Sequence, residues 1–455
     1  MKSIYLLVVM LVVAQACALQ EEGDPSVSAL LQGDDCTPIA GEYIVVASDN
    51  QQSAGTRFSD RRALESHLLG QGAAIKHAFS HAINGYVIKL PANLEQDETK
   101  RAHALGSIEQ HPLAPTLQPN MRCRHDWHSE LDPDQAQASA TQNDAPWNLA
   151  RIDQVEWDPE HPDTTYDFPE SNAGAGVTAY VLDSGIYKAH NEFCSRSNAK
   201  CKNNNTRVVR GYSAVGANPF RDNVGHGTHV AATLGGLKYG VAKDVSFVSV
   251  QLSNSDWLTL EDVLKGIDFV ARDYAEHGGL AVANMSFGGP RRFQVVNIAT
   301  ENLISQGIVV AAAAGNWYMN ACHQTPANVP GALTVAASTI VDSAADFSNW
   351  GACVDIFAPG QDIVSAGTAG QRAKRTASGT SMSTPHVAGV AALYLQAASL
   401  GQYSVRPEDV AAQLVCRALQ NSLSGVRKHG SHATANRSLY MGDITELRPD
   451  PGCQL

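Results

Sequence analysis

From Trp147 to Ala398 the chain keeps repeating one arrangement, a short continuous apolar run followed by a longer stretch with helical spacing. The apolar runs fall at 177–182, 245–250, 281–284, 308–312 and 332–335, and helical patterns cover 260–276, 293–306 and 386–398. A strand that is apolar on both faces has to be covered on both faces, and intervening helices do this by sandwiching a parallel sheet. The spacing therefore predicts an α/β fold built on a doubly covered, mainly parallel sheet. Chemistry in such a fold gathers at the carboxyl ends of the strands.

The chain ahead of Trp147 reads differently. Residues 42–47 and 85–90 have strand composition, 57–69 and about 94–105 have helical spacing, and a last strand is expected near Ser107-Ile108. This β-α-β-β-α-β order over about 41–115 predicts a small α+β, ferredoxin-like unit. From Met121 to Asn143 the composition turns polar and loop-like, which marks a linker and a cleavage zone. At the start, Met1-Lys2 precedes an apolar stretch and the small residues Ala14, Ala16 and Ala18, the pattern of a secretory signal over 1–18. That stretch is shorter than the roughly 20 residues of a membrane span. The expected divisions are 1–18, 19–139 (core 41–115, linker 121–139) and 140–455, in a secreted monomer that uses no membrane.

Secretion gives the cysteines their meaning. Beyond Cys17 there are eight, no C-x-x-C pair and no zinc-spaced cluster, so disulfides are expected, with 105 connectivities open. Charge excludes another class of partner: 33 basic against 45 acidic side chains leave a net −12, which repels a phosphate backbone.

Four places could do chemistry. Asp183 ends a buried run just before Gly185, where a carboxylate either caps the turn or pairs with a base. His226 lies between Gly225 and Gly227, which let other backbone come close, and His229 follows three residues on. An H-x-x-H metal site lacks its third ligand here. Ser381 stands where a strand gives way to a helix, so it is either an N-cap or a nucleophile favoured by the helix N-terminus. Asn316 follows Gly315 at the end of a buried run, where its amide suits a turn or an oxyanion.

In the order Asp, His, Ser, these segments resemble the three signatures of the subtilisin-like serine proteases: Asp183-Ser-Gly, Gly225-His-Gly-Thr-His229, and Gly379-Thr-Ser-Met382 with Pro385-His386. Ala145-Pro-Trp-Asn148 and Cys353-Val-Asp355 through Gly360 are similar to the proteinase K branch. Residues 41–115 resemble the family's inhibitory propeptide. The resemblance implies that Asp183 orients the imidazole, His226 is general base and then acid, Ser381 is the nucleophile and Asn316 donates to the oxyanion. It places Ser286, Phe287, Gly288, Ala314 and Gly315 around the P1 side chain. Ser253, Asn254 and Ser255, running on to Trp257, would pair with extended substrate as an added strand. Ala232 and Ser383 depart from the family, which commonly has Gly and Ala there.

The resemblance also implies structural calcium, held by the backbone oxygens of Pro330 and Ala332 and the carboxylate of Asp355, and no organic cofactor. It pairs Cys322 with Cys353. Cys194 with Cys201 would then close a short loop, Cys416 with Cys453 would tie down the tail, and Cys36 and Cys123 remain for each other. The function implied is a secreted serine endopeptidase, made as an autoprocessed zymogen, with broad apolar or aromatic P1 preference. Its partners would be protein or peptide substrates and its own propeptide as inhibitor, with Ser139-Ala140 as the cleavage site. A silent binding protein keeping its prodomain and an esterase are the competing readings.

Overall fold

The structure, a computed structural model, describes residues 36–47, 57–111, 113, 116–124, 128–133, 141–168, 173–196, 205–400, 404–427 and 433–442. The signal segment, the Ser139-Ala140 bond, Cys201 and Cys453 lie outside them.

The N-terminal unit runs β1 (Cys36–Val46), α1 (Arg57–Gly70), β2 (Ala74–Phe79), β3 (Gly85–Lys89), α2 (Ala92–Glu95), α3 (Glu98–Glu109) and β4 (Thr116–Arg124). The single helix expected at 94–105 is two, because the Asp97 side chain accepts from the Lys100 N–H and starts α3 afresh. Ser107 and Ile108 belong to that helix, with Ile108 buried, so no strand forms there. The closing strand is instead β4, whose last residues, 121–124, fall in the stretch read as linker. It pairs antiparallel with β1 from Val46↔Thr116 to Cys36↔Cys123, where a disulfide joins the two ends. Polar composition hid this strand because only Met121 and Cys123 need be apolar to bury it.

The chain continues through β5 (His128–Pro133), β6 (Thr141–Gln142), α4 (Trp147–Asp153), β7 (Tyr166–Asp167), β8 (Val177–Asp183), β9 (Val208–Ser213) and α5 (His226–Gly235). Then come β10 (Ser246–Gln251), β11 (Trp257–Thr259), α6 (Leu260–His277), β12 (Leu280–Met285), α7 (Gln294–Ser305), β13 (Val309–Ala313), β14 (Leu333–Ser338) and β15 (Ile356–Pro359). The last are β16 (Ile363–Ala366), β17 (Ala373–Ser378), α8 (Thr380–Leu400), α9 (Pro407–Arg417), β18 (Leu419–Gln420) and β19 (Arg437–Ser438).

Nine strands form one sheet in the order β18-β19-β15-β14-β13-β12-β8-β10-β9, parallel except at the β18–β19 edge. Its two faces belong to separate cores: Val181, Val309 and Val335 pack with α5 and α8, while Leu182, Val250 and Val310 pack with α6 and α7. This is the double covering that apolar runs require. The chain moves from β8 out to β9 and back to β10, then crosses to β12 on the other side of β8. The strand order therefore reverses at β8, and the crevice opens at its carboxyl end.

The N-terminal unit sits on α6 and α7. Asp268 of α6 accepts from the backbone N–H groups of Ser80, His81 and Ala82 at 3.1, 2.6 and 2.9 Å, and Asn302 of α7 donates to the Ala82 carbonyl at 2.6 Å. β4 extends the five-stranded sheet onto β11, with Arg122, Cys123 and Arg124 opposite Thr259, Leu258 and Trp257. β5 then pairs with β17, the strand that leads into Ser381.

Candidate active site

Asp183 is the last residue of β8, where strand pairing ends and the side chain meets the crevice. His226 is the first residue of α5, and its Nδ1 lies 2.8 and 2.9 Å from the two carboxylate oxygens of Asp183. Both side chains are buried. A carboxylate on Nδ1 holds the imidazole proton there and leaves Nε2 as the basic nitrogen. The flanking glycines are required by contact. Gly225 has φ +86°, and a Cβ on Gly227 would stand 2.2 Å from the Gly185 carbonyl oxygen.

A residue the sequence reading missed ties this corner together. Buried Asp222 accepts from Ser184 Oγ, the Val224 and Gly225 N–H groups, and both the N–H and Oγ1 of Thr228, at 2.7–3.1 Å. Ser184 Oγ in turn accepts from the Gly227 N–H at 2.9 Å. No local sequence pattern marks Asp222, because Gly225 and not Asp222 is the residue next to the helix start. His229 points elsewhere: it is fully buried with Nε2 2.9 Å from the Ile363 carbonyl, and burial drives its pKa down to about 3. A neutral histidine bonded to backbone is structural.

Ser381 lies in the first turn of α8, which begins at Thr380 and carries Pro385 inside it, earlier than the 386 start expected. Its N–H belongs to the turn whose donors have no carbonyl ahead of them in the helix. The Ser381 hydroxyl donates to the Ser286 carbonyl at 3.1 Å, and Ser286 Oγ donates back to the Ser381 carbonyl at 2.8 Å. Asn316 is fixed by Thr380, whose N–H and Oγ1 both donate to its Oδ1 at 2.8 and 2.9 Å. With Oδ1 so engaged, Nδ2 is the group left to donate outward, and it lies 3.2 Å from where a Cβ on Gly379 would stand. Segments distant in sequence thus lie at the carboxyl end of the sheet in two groups, the carboxylate-held base Asp183–His226 and the helix-start hydroxyl of Ser381 with the oriented amide of Asn316.

The other expected site residues divide. Asn284, in a sequon, is fully buried and donates to Ser286 Oγ at 2.9 Å, so it is a framework residue with no room for a glycan. Ser286, Phe287 and Ala314 are buried, Ser286 in contact with Ser381, and Gly315 (φ +101°) donates to Thr380 Oγ1 at 3.0 Å. Ser253, Asn254 and Ser255 do not form the strand edge expected of them. Ser253 Oγ accepts from the Ser255 N–H and donates to the Ser255 and Trp257 carbonyls, which folds 253–257 into a turn. The edge that pairs with an extended chain is Trp257–Thr259. Ser253 and Ser255 instead line a cleft that is also lined by Asp183, His226 and Trp257. Of the departures, Ala232 is core, and Ser383 is buried with its hydroxyl unpaired against Gly360.

The Cys322–Cys353 and Cys36–Cys123 disulfides are present. Cys194 and Cys416 are also disulfide-bonded, to partners outside the described residues. Asp355 is half-buried, its Oδ2 accepts from the Thr334 N–H at 2.8 Å, and burial pushes its pKa up to about 6. Among the described residues no group of three or more His, Cys, Asp or Glu side chains is placed to hold a metal.

A parallel sheet with an Asp–His pair at its reversal point and a helix-start serine at the same end has the arrangement of a subtilisin-type serine hydrolase. The chain belongs to the subtilase family of serine proteases, whose model matches residues 174–438. It is 36% identical over 438 residues to alkaline serine exoprotease A of Vibrio alginolyticus, covering 94% of this chain and 72% of that one. It is 34% identical to the extracellular serine proteinase of Thermus sp. strain Rt41A, covering 94% and 97%. Its structure is similar to the crystal structure of a cold adapted subtilisin-like serine proteinase, with a TM-score of 0.56 at 41% identity over 66% of this chain and 98% of that one.

Proposed function

We propose that the chain is a secreted endopeptidase, made as a zymogen, that cuts peptide bonds through an acyl-enzyme on Ser381. The observation that carries this reading is the two-oxygen hold of Asp183 on His226 Nδ1. The Ser381 hydroxyl turns from the Ser286 carbonyl to His226 Nε2, gives up its proton there, and its oxygen bonds to the scissile carbonyl carbon. The negative oxygen that forms is met by Asn316 Nδ2 and the Ser381 N–H. His226 then returns the proton to the departing amine as the C–N bond breaks, and a water molecule releases the acyl group by the same route. Ser286-Phe287-Gly288 and Ala314-Gly315 would line an apolar P1 pocket.

Residues 36–124 are read as the inhibitory propeptide, because β4 occupies the edge that a substrate would use. Its chain leaves that edge at Arg124 and rejoins the molecule on β17 at His128, on the strand feeding Ser381. This favours a first cut between Arg124 and His128, ahead of Ser139-Ala140, where the resemblance places the mature start. A Ser381→Ala protein should be secreted uncut, and N-terminal sequencing of wild type should find the early cut; normal processing of the variant would remove Ser381 from the chemistry.

Calcium is proposed at Pro330, Ala332 and Asp355. The two carbonyls lie within four residues of Thr334, which binds Asp355, and hard oxygen donors suit the ion. Calcium there would add folding stability, so a chelator that leaves the thermal midpoint unchanged would exclude these residues as ligands.

A further inference from the structure

β4 lies on the edge strand β11 as an extended substrate would, so its side chains report what each position along that edge accepts. In an antiparallel pair, successive side chains alternate between the two faces. Cys123 turns inward, buried in the lining of an apolar pocket that includes Leu258, Leu260, Phe287 and Phe293. Arg122, one residue earlier, is on the other face. It stands opposite Thr259 and diagonal to Trp257, and long side chains reach such diagonal neighbours. Its guanidinium carbon lies 4.8 Å from the centre of the Trp257 ring.

Trp257 is 40% exposed even with the propeptide seated, an unusual place for a large aromatic side chain. The residue before it, Asp256, is an exposed carboxylate that lines the catalytic cleft. An exposed indole face attracts a cation, above all a planar guanidinium.

We propose that Trp257 is a specificity residue that selects a basic side chain, preferably arginine, at the substrate position immediately N-terminal to the residue held in the Leu258–Phe293 pocket. This rests on the endopeptidase reading and adds a substrate class to it. Once the propeptide is gone, the edge is open, and substrates with this pattern inherit the contact that Arg122 makes.

The test uses the processed enzyme purified from culture and internally quenched peptides that differ only at that position, carrying Arg, citrulline, Ala or Glu. The expected result is kcat/KM for Arg above Ala by about 2- to 5-fold, the range of an exposed cation–π contact. Glu should fall below Ala. Citrulline, which keeps the shape of Arg without its charge, should behave as Ala. In Trp257→Ala the Arg/Ala ratio should drop to about 1, and Trp257→Phe should keep part of it. An Arg/Ala ratio of 1 in wild type, a ratio unchanged in Trp257→Ala, or citrulline equal to Arg would each overturn the proposal. Failure to cleave any of the peptides would instead contradict the endopeptidase reading itself.

Discussion

At the scale of single residues, the site depends on side chains whose orientation is fixed by neighbours. His226 is held through Asp183, and Asn316 through Thr380. Asn316→Ala should lower kcat by roughly 10² to 10³ with little change in KM, and His226→Ala should lower it by about 10⁶, the magnitudes measured for the corresponding changes in subtilisin. Steady-state kinetics on one peptide tests both, and an Asn316→Ala enzyme that lost affinity but kept its turnover would show the amide to be a binding group. The residues named in these predictions were legible from sequence because each sits in a motif at a strand end or helix start. Asp222 was not, since its role is visible only once five donors converge on it. Neither was the rest position of the Ser381 hydroxyl on Ser286, a contact across 95 residues of chain.

At the scale of elements, the strands and helices of the large sheet were legible because buried parallel strands leave continuous apolar runs. β4 and β11 were not. Each is polar or short, and β11 is a strand because β4, itself paired with β1, lies beside it. Ser253 shows a related limit, since the resemblance that implied an edge there does not reveal that its hydroxyl closes a turn. The docking of the N-terminal unit centres on Asp268, one carboxylate oxygen receiving three backbone N–H groups. A hydrogen bond to a charged group contributes about 1.5–3 kcal/mol. Asp268→Ala should therefore weaken inhibition by added propeptide by about 10- to 100-fold while the freed enzyme cleaves short peptides as before. Inhibition constants for the two enzymes measure this, and equal constants would mean that the β4 edge alone holds the inhibitor.

At the scale of the whole molecule, two fully buried histidines couple folding to pH. Burial lowers the pKa of His386 to about 4 and of His229 to about 3, and each is fixed by hydrogen bonds, His386 to Met382 and Asn148 and His229 to Ile363. Unfolded histidines take up protons below about pH 6.5, whereas these do not until far lower, so the unfolded state binds more protons throughout the window between. Their contribution is thus complete above pH 6.5 and is lost on acidification from 6.5 to 4, at about 1 kcal/mol per pH unit for each histidine. Denaturant unfolding of Ser381→Ala protein, which cannot digest itself, should show that slope, and adding His386→Gln should reduce it; identical slopes would place the acid sensitivity elsewhere. The account as a whole rests on Ser381 being a nucleophile activated by His226. Its most direct measurement is labelling of the processed enzyme with a serine-directed phosphonate, followed by peptide mass mapping. One adduct on Ser381, formed at least 10³-fold more slowly in His226→Ala, is the predicted result, given the loss of the general base. An unmodified Ser381 in intact wild-type protein, or labelling at the same rate without His226, would contradict it.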